Sequence, residues 1–397
     1  MQKYKYIIIG GGMTGSAALK ALKESDPQGR IAMFSDEPYE PYDRPPLSKG
    51  LWAGKDPEKI FHKLPEHGFD LFLSTKITEI DPDQQTIIDD KGHEYNYQKL
   101  LLATGGQPIQ LPDVPKGVIA YRTLEDYKTL QTQLKPESEV CVIGGGFIGS
   151  EMSAALNQNG HHVTMIFPET GISSLRFPDD LALFLNDYYH EKGVKVLKEC
   201  LVQTITKSDD KFKVIYKNVK DDSVAEGKFD KVIIGVGLKP NVALAKAANL
   251  DIDDGIVVDE YLQTSDPNIF AAGDVAFFMN MSLDKKTRVE HENHANQSGK
   301  LVARNMAGQK EKYNHFPFFY SDLFDLGYEA IGELDKNLEI LSDWIEPYRK
   351  GTIYYLSEGK IRGIIFWNLW GKVHEGGKLI QEGKTFGESE LVGRFSD

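Results

Sequence analysis

Two glycine-rich turns stand out among the residues that could do chemistry. The first contains Gly10, Gly12, Met13, Thr14 and Gly15, and the second contains Gly144, Gly146, Phe147, Ile148 and Gly149. In a GxGxxG turn the first glycine permits the tight turn, the second lets the backbone approach a pyrophosphate, and the third lets helix pack on strand. The helix N-terminus then faces the phosphates with its N–H groups. Two such turns therefore indicate two bound dinucleotides.

The segments around each turn have the patterns of a buried strand and a helix. These are residues 6–9 and 16–24 around the first turn, and 140–143 and 150–158 around the second. An acid follows the next expected strand in each case, with Asp36 after residues 30–35 and Glu169 after residues 162–167. A carboxylate at this place accepts hydrogen bonds from ribose hydroxyls. The repeated pattern predicts an α/β fold with two Rossmann-like domains.

The composition argues against several classes of protein. The chain has 397 residues, with 46 Lys and Arg against 59 Asp and Glu, a formal charge of −13, so nucleic acid is not expected as a partner. Cys141 and Cys200 have neither the CxxC spacing of a redox dithiol nor that of a metal site. The sequence has no apolar run of about 18 residues, so no membrane span is expected. We expect a cytoplasmic protein, or a mitochondrial one after removal of a presequence.

The remaining pattern predicts three domains. Further segments have the pattern of buried strands that end in glycine: 100–105, 232–237 and 268–274. After about residue 312 the sequence has strand-like segments at 328–334, 352–356 and 361–367 and a helical one at 371–381, which favours a C-terminal α+β domain. We expect a discontinuous first domain (1–121 and 243–311), a second domain (122–242) and a third (312–397).

Several longer motifs resemble those of one flavoprotein family. They are RPPLSK at 44–49, GGGFIGSE at 144–151, NIFAAGD at 268–274, RVEH at 288–291, SD at 321–322, GYEAIG at 327–332 and WN at 367–368. In this order they resemble the apoptosis-inducing factor family and its relatives, the ferredoxin, rubredoxin and putidaredoxin reductases. The resemblance implies that FAD binds the first turn and NADH the second. It also implies hydride transfer from NADH to flavin N5, followed by electron transfer to oxygen, a quinone or a protein carrier.

The resemblance implies catalytic roles for four residues. Lys49 and Glu151 would form an ion pair beside the flavin, Phe147 would shield the flavin and swing aside for nicotinamide, and His291 would lie at the flavin. From the residues alone, Glu151 could be a helix-surface acid and Phe147 a core aromatic. The dense acids and imidazoles at 290–294 lack metal-site spacing, and a helix from there to Asn305 is expected to direct its positive end at the reduced flavin.

Other residues are expected to contact the cofactors. These are Glu37, Arg44, Ile77, Ala103, Thr104, Gly105, Arg122, Gly237, Gly273, Asp274, Glu290, Tyr320, Glu329 and Asn368. Tyr320 stands where the family commonly has Trp. Glu169 favours NADH over NADPH because it would repel a 2′-phosphate, although Arg176 could weaken this preference.

Two alternative functions stay open at the level of sequence. One is a dedicated NADH-dependent reductase of a ferredoxin- or rubredoxin-type carrier. The other is a redox-sensing flavoprotein that forms a homodimer when NADH reduces it. The electron acceptor is not specified by any motif.

Overall fold

Both glycine turns connect a buried strand to a helix in the computed structural model, which describes residues 2–395. Its helices are α1 (Met13–Ser25), α2 (Leu124–Gln133), α3 (Phe147–Gln158), α4 (Asp179–Glu191), α5 (Ala243–Ala247), α6 (Glu292–Met306), α7 (Val373–Glu382) and α8 (Glu388–Leu391). Its strands are β1 (Gln2–Lys3), β2 (Tyr6–Ile9), β3 (Ile31–Phe34), β4 (Phe69–Phe72), β5 (Ile77–Asp81), β6 (Thr86–Asp89), β7 (Glu94–Asn96), β8 (Lys99–Leu102), β9 (Gly106–Pro108), β10 (Ile119–Ala120), β11 (Glu139–Ile143), β12 (His162–Ile166), β13 (Lys195–Leu197), β14 (Cys200–Ser208), β15 (Lys211–Asn218), β16 (Val224–Phe229), β17 (Lys231–Ile234), β18 (Leu238–Pro240), β19 (Ile256–Val257), β20 (Ile269–Ala271), β21 (Ala276–Asn280), β22 (Lys285–Thr287), β23 (Phe318–Leu323), β24 (Leu326–Gly332), β25 (Glu339–Glu346), β26 (Lys350–Ser357) and β27 (Lys360–Trp367). Single 3₁₀ turns span Pro45–Ser48, Pro57–Ile60 and Gly273–Val275.

The chain divides into two compact units, neither of which is a continuous segment. The first unit comprises residues 2–44, 56–107 and 239–319, and the second comprises 45–55, 108–238 and 320–395. The predicted division into three domains, with boundaries at 121/122, 242/243 and 311/312, stays a prediction. Across residues 2–395, no helix is both long and apolar enough to cross a bilayer.

A five-stranded parallel sheet forms the centre of the first unit, in the order β20-β8-β2-β3-β4. Its inner strands are buried at nearly every position, as expected for parallel strands covered on both faces. Ile9 pairs with Phe34 on one side and with Leu102 on the other, so these strands end at the same level. The strand order reverses at β2, and ligands bind at such a reversal beyond the carboxyl ends. Gly10 and Ala103 follow the strands at this edge.

The second unit contains a parallel sheet of the same kind, in the order β10-β17-β11-β12-β13. Ile143 pairs with Ile166 and with Ile234, so Gly144 again follows a central strand at the carboxyl edge. An antiparallel sheet, β14-β15-β16, and a larger C-terminal one, β23-β24-β27-β26-β25, complete the unit, and α7 packs on β24 and β27.

The predicted α/β class is confirmed, and the differences lie at element ends. The helix expected from residue 290 begins at Glu292, because His291 has an extended backbone and is its N-cap. The strand expected over 328–334 ends at Gly332, which has a φ of +88°. Both dinucleotide-type helices begin earlier than expected, at Met13 and Phe147, directly after the second glycine of each turn.

Candidate functional site

In the first glycine turn, two glycines have no room for a side chain and the third has open space beside it. A Cβ atom on Gly10 would lie 2.1 Å from the carbonyl oxygen of Ala103, and one on Gly15 would lie 2.0 Å from that of Gly10. A Cβ on Gly12 would meet no described atom within 4 Å. Gly12 is the N-cap of α1, and within residues 2–395 no side chain caps this helix end. The space beside these backbone N–H groups fits a pyrophosphate.

The second turn repeats this arrangement in the second unit. A Cβ on Gly144 would lie 2.4 Å from the carbonyl oxygen of Gly235, and one on Gly149 would lie 2.0 Å from that of Gly144. Gly146, the N-cap of α3, again has open space, because a Cβ added there would have no described atom within 4 Å. Each unit therefore has its own cradle that fits a dinucleotide.

Two acids follow β3 in the first unit, and they differ in their contacts. Asp36 is exposed, whereas the half-buried Glu37 carboxylate accepts a 2.5 Å hydrogen bond from Tyr42 and forms a 2.6 Å ion pair with Arg44. The Arg44 guanidinium also lies 5.4 Å from the Tyr42 ring centroid. Glu37 and Tyr42 thus fix the direction of the Arg44 side chain, as a cation that binds an anionic ligand requires.

The other expected FAD residues of the first unit lie mainly at strand ends. Thr104 donates from its hydroxyl to the carbonyl of Asn241 over 2.8 Å, and the Asn241 amide returns a 2.9 Å bond to the Thr104 carbonyl. The neighbouring Gly105 has a φ of +59° and, among the described atoms, open space where a Cβ would be. Ala103 and Met13 are buried, and Ile77 is buried at the start of β5.

Gly273 and Asp274 form the 3₁₀ turn that follows β20. Gly273 has a φ of +74°, and a Cβ there would lie 2.2 Å from Oγ1 of Thr14 in the first glycine turn. Asp274 is half-buried, and its backbone carbonyl accepts a 3.2 Å hydrogen bond from Arg288. The structure therefore brings the turn after β20 directly beside the first glycine turn.

Glu290 and His291 precede α6 in the same unit. The Glu290 carboxylate forms a 2.7 Å ion pair with Arg288. The His291 ring stacks on Phe319 with 4.5 Å between ring centroids. These contacts hold both side chains at the N-terminal end of α6, where the helix dipole favours negative charge.

A buried carboxylate in the second unit contacts several polar side chains. Glu151 lies in the second turn of α3, and only 7% of its surface is exposed. Its Oε1 accepts a 2.6 Å hydrogen bond from Ser321 and lies 3.1 Å from Nζ of Lys49, while its Oε2 accepts a 2.5 Å bond from Ser48. Short bonds of this kind compensate the cost of burying a carboxylate. Glu151 is therefore not a helix-surface acid.

Lys49 is held by its partners on several sides. Its Nζ lies 4.3 Å from the ring centroid of Tyr320, 3.4 Å from the carbonyl oxygen of Tyr320 and 3.8 Å from the carboxylate of Asp322. Tyr320 is exposed over 39% of its surface, so part of this residue is accessible to a ligand. This places a fixed positive charge next to an accessible aromatic ring.

Phe147 begins α3, directly after the open glycine of the second turn. Its ring is half-buried and lies 5.3 Å below the guanidinium of Arg176, and the adjacent Ile148 is exposed. Glu169 is half-buried and follows β12, where its backbone carbonyl accepts a bond from Glu199. Phe147 therefore does not fill the core, and both residues lie in the unit that contains the second turn.

The remaining expected residues of the second unit make local contacts. The Arg122 backbone donates to Asp126 at the start of α2, and Gly237, exposed after β17, accepts from Ile109. The Glu329 carboxylate accepts a 2.6 Å bond from the backbone of Gly371. Asn368 forms two 2.8 Å hydrogen bonds with the backbone of Gly327. Their cofactor roles stay predictions.

Sequence reasoning missed three residues that the structure connects to these sites. Ser48 and Ser321 both donate to Glu151, and they lie 103 and 170 residues from it along the chain. His294 is buried and contacts Gly273. Ser48 and Ser321 lie within the RPPLSK and SD motifs, which was the available signal, but a hydroxyl that bonds so distant a partner cannot be recognised from spacing.

Comparison with known proteins agrees with two dinucleotide sites. The sequence profile of the family described as "Pyridine nucleotide-disulphide oxidoreductase" matches residues 4–299. The chain is 32% identical to apoptosis-inducing factor 1, mitochondrial, from Dictyostelium discoideum, over 97% of this chain and 80% of that protein. It is 33% identical to a monodehydroascorbate reductase from Pisum sativum, over 91% of this chain and 90% of that protein.

A solved structure extends the likeness to the whole fold. The putidaredoxin reductase of a covalent complex with putidaredoxin superposes with a TM-score of 0.91 at 28% identity, over 99% of this chain and 97% of that one. Two open glycine cradles, each at the carboxyl edge of a parallel sheet, are what an enzyme that uses two dinucleotides requires. The chain thus belongs to the pyridine nucleotide-disulphide oxidoreductase family and is an FAD-dependent NAD(P)H oxidoreductase.

Proposed function

We propose that the chain oxidises NADH in preference to NADPH and passes the electrons from FAD directly to an external acceptor, which is oxygen, a quinone or a protein carrier. FAD binds the first unit, on the first glycine turn, with Arg44 and Asp274. NADH binds the second unit, on the turn that contains Gly146, with Glu169. Bound FAD supplies a ring that accepts a hydride at N5 and gives up its electrons to a second acceptor.

The position of the cysteines carries the proposal of an external acceptor. Cys141 and Cys200, the two cysteines of the chain, are both buried in the hydrophobic core of the second unit. Burial raises the pKa of both thiols, most strongly that of Cys141. A thiol of this kind is inert as a nucleophile. Electrons therefore leave without an internal disulphide, although the family name refers to one.

In the second unit, the protein supplies the positive charge of Lys49 in a fixed position. Glu151, with its bonds from Ser48 and Ser321, holds Lys49 in one direction beside Tyr320. A lysine held in this way orients an electron-rich ring and stabilises negative charge that develops on it. Phe147 begins the same helix, four residues before Glu151, and we propose that it moves when nicotinamide enters.

Glu169 supports the preference for NADH. Its carboxylate would accept hydrogen bonds from the adenosine ribose and repel a 2′-phosphate. Arg176 lies over Phe147, which supports a role at the nicotinamide end and not at a 2′-phosphate.

We expect a higher kcat/KM for NADH than for NADPH. Glu169→Ala should reduce the ratio of these two kcat/KM values about tenfold, because charged hydrogen bonds to the ribose are lost. Steady-state kinetics test this, with the exposed Asp187→Ala as a matched control. A wild-type preference for NADPH would contradict the assignment.

The external acceptor is tested by reoxidation. Protein reduced with NADH under anaerobic conditions is mixed with oxygen, a quinone, monodehydroascorbate or a ferredoxin-type carrier, and the reoxidation rates are compared. The variant Cys141→Ala/Cys200→Ala should keep the wild-type rates, because neither thiol takes part. Loss of reoxidation in a double variant that still binds FAD would show that the electrons pass through a disulphide.

A carrier reductase is the second candidate, and the likeness to a putidaredoxin reductase favours it. That protein was solved in complex with putidaredoxin. For this chain, NADH-dependent cytochrome c reduction that occurs only after a purified carrier is added would support the candidate. Equal rates without a carrier would favour a small-molecule acceptor.

A further inference from the structure

A buried histidine lies behind the turn formed by Gly273 and Asp274. His294 is in α6 with 0% of its surface exposed. Its Nδ1 lies 2.7 Å from the hydroxyl of Tyr313, and its Nε2 lies 3.3 Å from the carbonyl oxygen of Gly273. The ring stacks on Phe278, with 4.7 Å between centroids and 12° between planes. The imidazole thus bridges the turn and Tyr313.

The partners of His294 determine its protonation state. The carbonyl of Gly273 can only accept a hydrogen bond, so Nε2 carries the proton. Tyr313 then donates its O–H to Nδ1, which is possible only while the imidazole is neutral. Burial lowers the pKa of His294 to about 4, against the opposing attraction of Asp274. His294 is therefore a neutral donor at ordinary pH.

Besides its contact with His294, the Gly273–Asp274 turn is held at two other points. The N–H of Gly273 donates to Oγ of Ser298 over 3.0 Å, and Ser298 donates to the carbonyl of His294 over 2.7 Å. Thr14 packs closely against Gly273, since a Cβ on Gly273 would lie 2.2 Å from Oγ1 of Thr14. The carbonyl of Gly273 is the point at which His294 controls the peptide that leads into Asp274.

We propose that neutral His294 is a positioning residue for FAD, which holds the Gly273–Asp274 turn in its binding conformation, and that protonation of His294 in acid releases the flavin. The inference rests on the proposed binding of FAD to the first unit. The charged or titratable groups that face the imidazole are Tyr313, Asp274 and His315. A proton on Nδ1 would displace the O–H that Tyr313 donates and would leave a positive charge on a ring with 0% of its surface exposed. Because a buried charge is costly, the protonated ring leaves this position, and the hydrogen bond from Nε2 to Gly273 is lost with it.

Four variants of the holoenzyme test the proposal by flavin fluorescence, which rises when FAD leaves the protein. His294→Phe removes both hydrogen bonds, whereas His294→Gln keeps an amide donor for Gly273 and cannot be protonated in this range. Tyr313→Phe removes the donor to Nδ1. Tyr97→Phe is the matched control, because the Tyr97 hydroxyl is buried in the same unit and has no hydrogen-bond partner in the described chain.

We expect His294→Phe to raise the Kd for FAD about tenfold at neutral pH because, of its two lost hydrogen bonds, the one to Gly273 holds the turn. His294→Gln should bind FAD nearly as wild type does and should keep it at lower pH than wild type. Tyr313→Phe should release FAD at higher pH than wild type, and Tyr97→Phe should behave as wild type. The melting temperature of each apoprotein is measured as well. If His294 had a merely structural role, its variants would have lower melting temperatures but an unchanged Kd for FAD and an unchanged release pH.

Unchanged Kd and release pH in all His294 and Tyr313 variants would overturn the proposal. Gly12→Ala separates this result from failure of the proposed function. If Gly12→Ala weakens FAD binding while the His294 variants do not, FAD binds the first unit but His294 does not position it. If none of these variants changes FAD binding, the assignment of FAD to the first unit fails, and the inference fails with it.

Discussion

At the scale of single residues, the glycines of the two turns fall into two groups: those that the fold requires and those that a ligand would require. Gly10 and Gly15 are required by the protein itself, because a side chain at either would collide with backbone. Gly12 and Gly146 have φ values of −88° and −82°, which any residue adopts, and space around them within the described chain. A pyrophosphate bound beside them, as we propose, would give these two positions a reason to be glycine.

This difference predicts selective loss of cofactors. Gly12→Ala should weaken FAD binding and Gly146→Ala should raise the KM for NADH, each about tenfold or more, since a methyl group would displace the pyrophosphate from the helix end. Both variants should melt within a few degrees of wild type. Gly15→Ala is the contrasting variant and should fail to fold stably. Unchanged binding in the first two would place the pyrophosphates elsewhere.

Lys49 is the residue for which the pairing with Glu151 predicts a kinetic effect. Lys49→Ala should keep FAD bound but slow flavin reduction by NADH about ten- to hundredfold, because a fixed positive charge is lost. Stopped-flow bleaching of the flavin measures this rate. Lys55→Ala, an exposed lysine in the same short segment, is the control and should reduce at the wild-type rate. Equal rates in Lys49→Ala and wild type would contradict the role.

At the scale of elements, one buried carboxylate holds the turn between β6 and β7. Asp89 ends β6 and is buried, and it accepts hydrogen bonds from the backbone of Lys91 and His93, the His93 ring and the Tyr95 hydroxyl. Burial opposes the charge of this carboxylate, but the hydrogen bonds outweigh it and lower its pKa to about 2. The carboxylate therefore stabilises the turn from β6 to β7.

Asp89→Asn should lower the free energy of unfolding by about 2 kcal/mol at pH 7, the effect of a pKa lowered from 3.8 to about 2. Because the pKa is lowered in the folded state, this stabilisation is complete above pH 3.8 and is lost as the pH falls towards 2. Urea unfolding at about pH 7, 5 and 3 measures the difference between variant and wild type. A difference that does not shrink at the lowest pH would mean that the charge is not its source.

The elements also show how far the sequence could predict the site. The turns with Gly10 and Gly144 were predictable because a local pattern of strand, glycine and helix encodes them. The surroundings of Glu151 were not, since its partners come from Ser48 and Ser321, far away along the chain. The role proposed for His294 likewise depends on Tyr313 and Gly273, which the packing of α6 brings to one imidazole.

At the scale of the whole molecule, the charge of −13 bears on the acceptor. A strongly acidic chain repels an acidic carrier unless a basic surface is set apart, whereas neutral acceptors approach without such a surface. The fold class and the family were predictable because the motifs occur in order along the whole chain. The limits of the two compact units were not, because the chain passes between them five times and no composition change marks the passages.

The interrupted course of the first unit also affects how the protein is made. β8 is complete at Leu102, yet its neighbour β20, which pairs Ala271 with Leu102, follows about 170 residues later. At roughly 5–20 residues per second, a ribosome leaves the apolar edge of β8 without this partner for about ten to thirty seconds. An uncovered strand edge is a template for aggregation. Nascent chains of this protein should therefore depend on chaperones until α6 has emerged, and no truncation before Met306 should yield a soluble FAD-binding fragment.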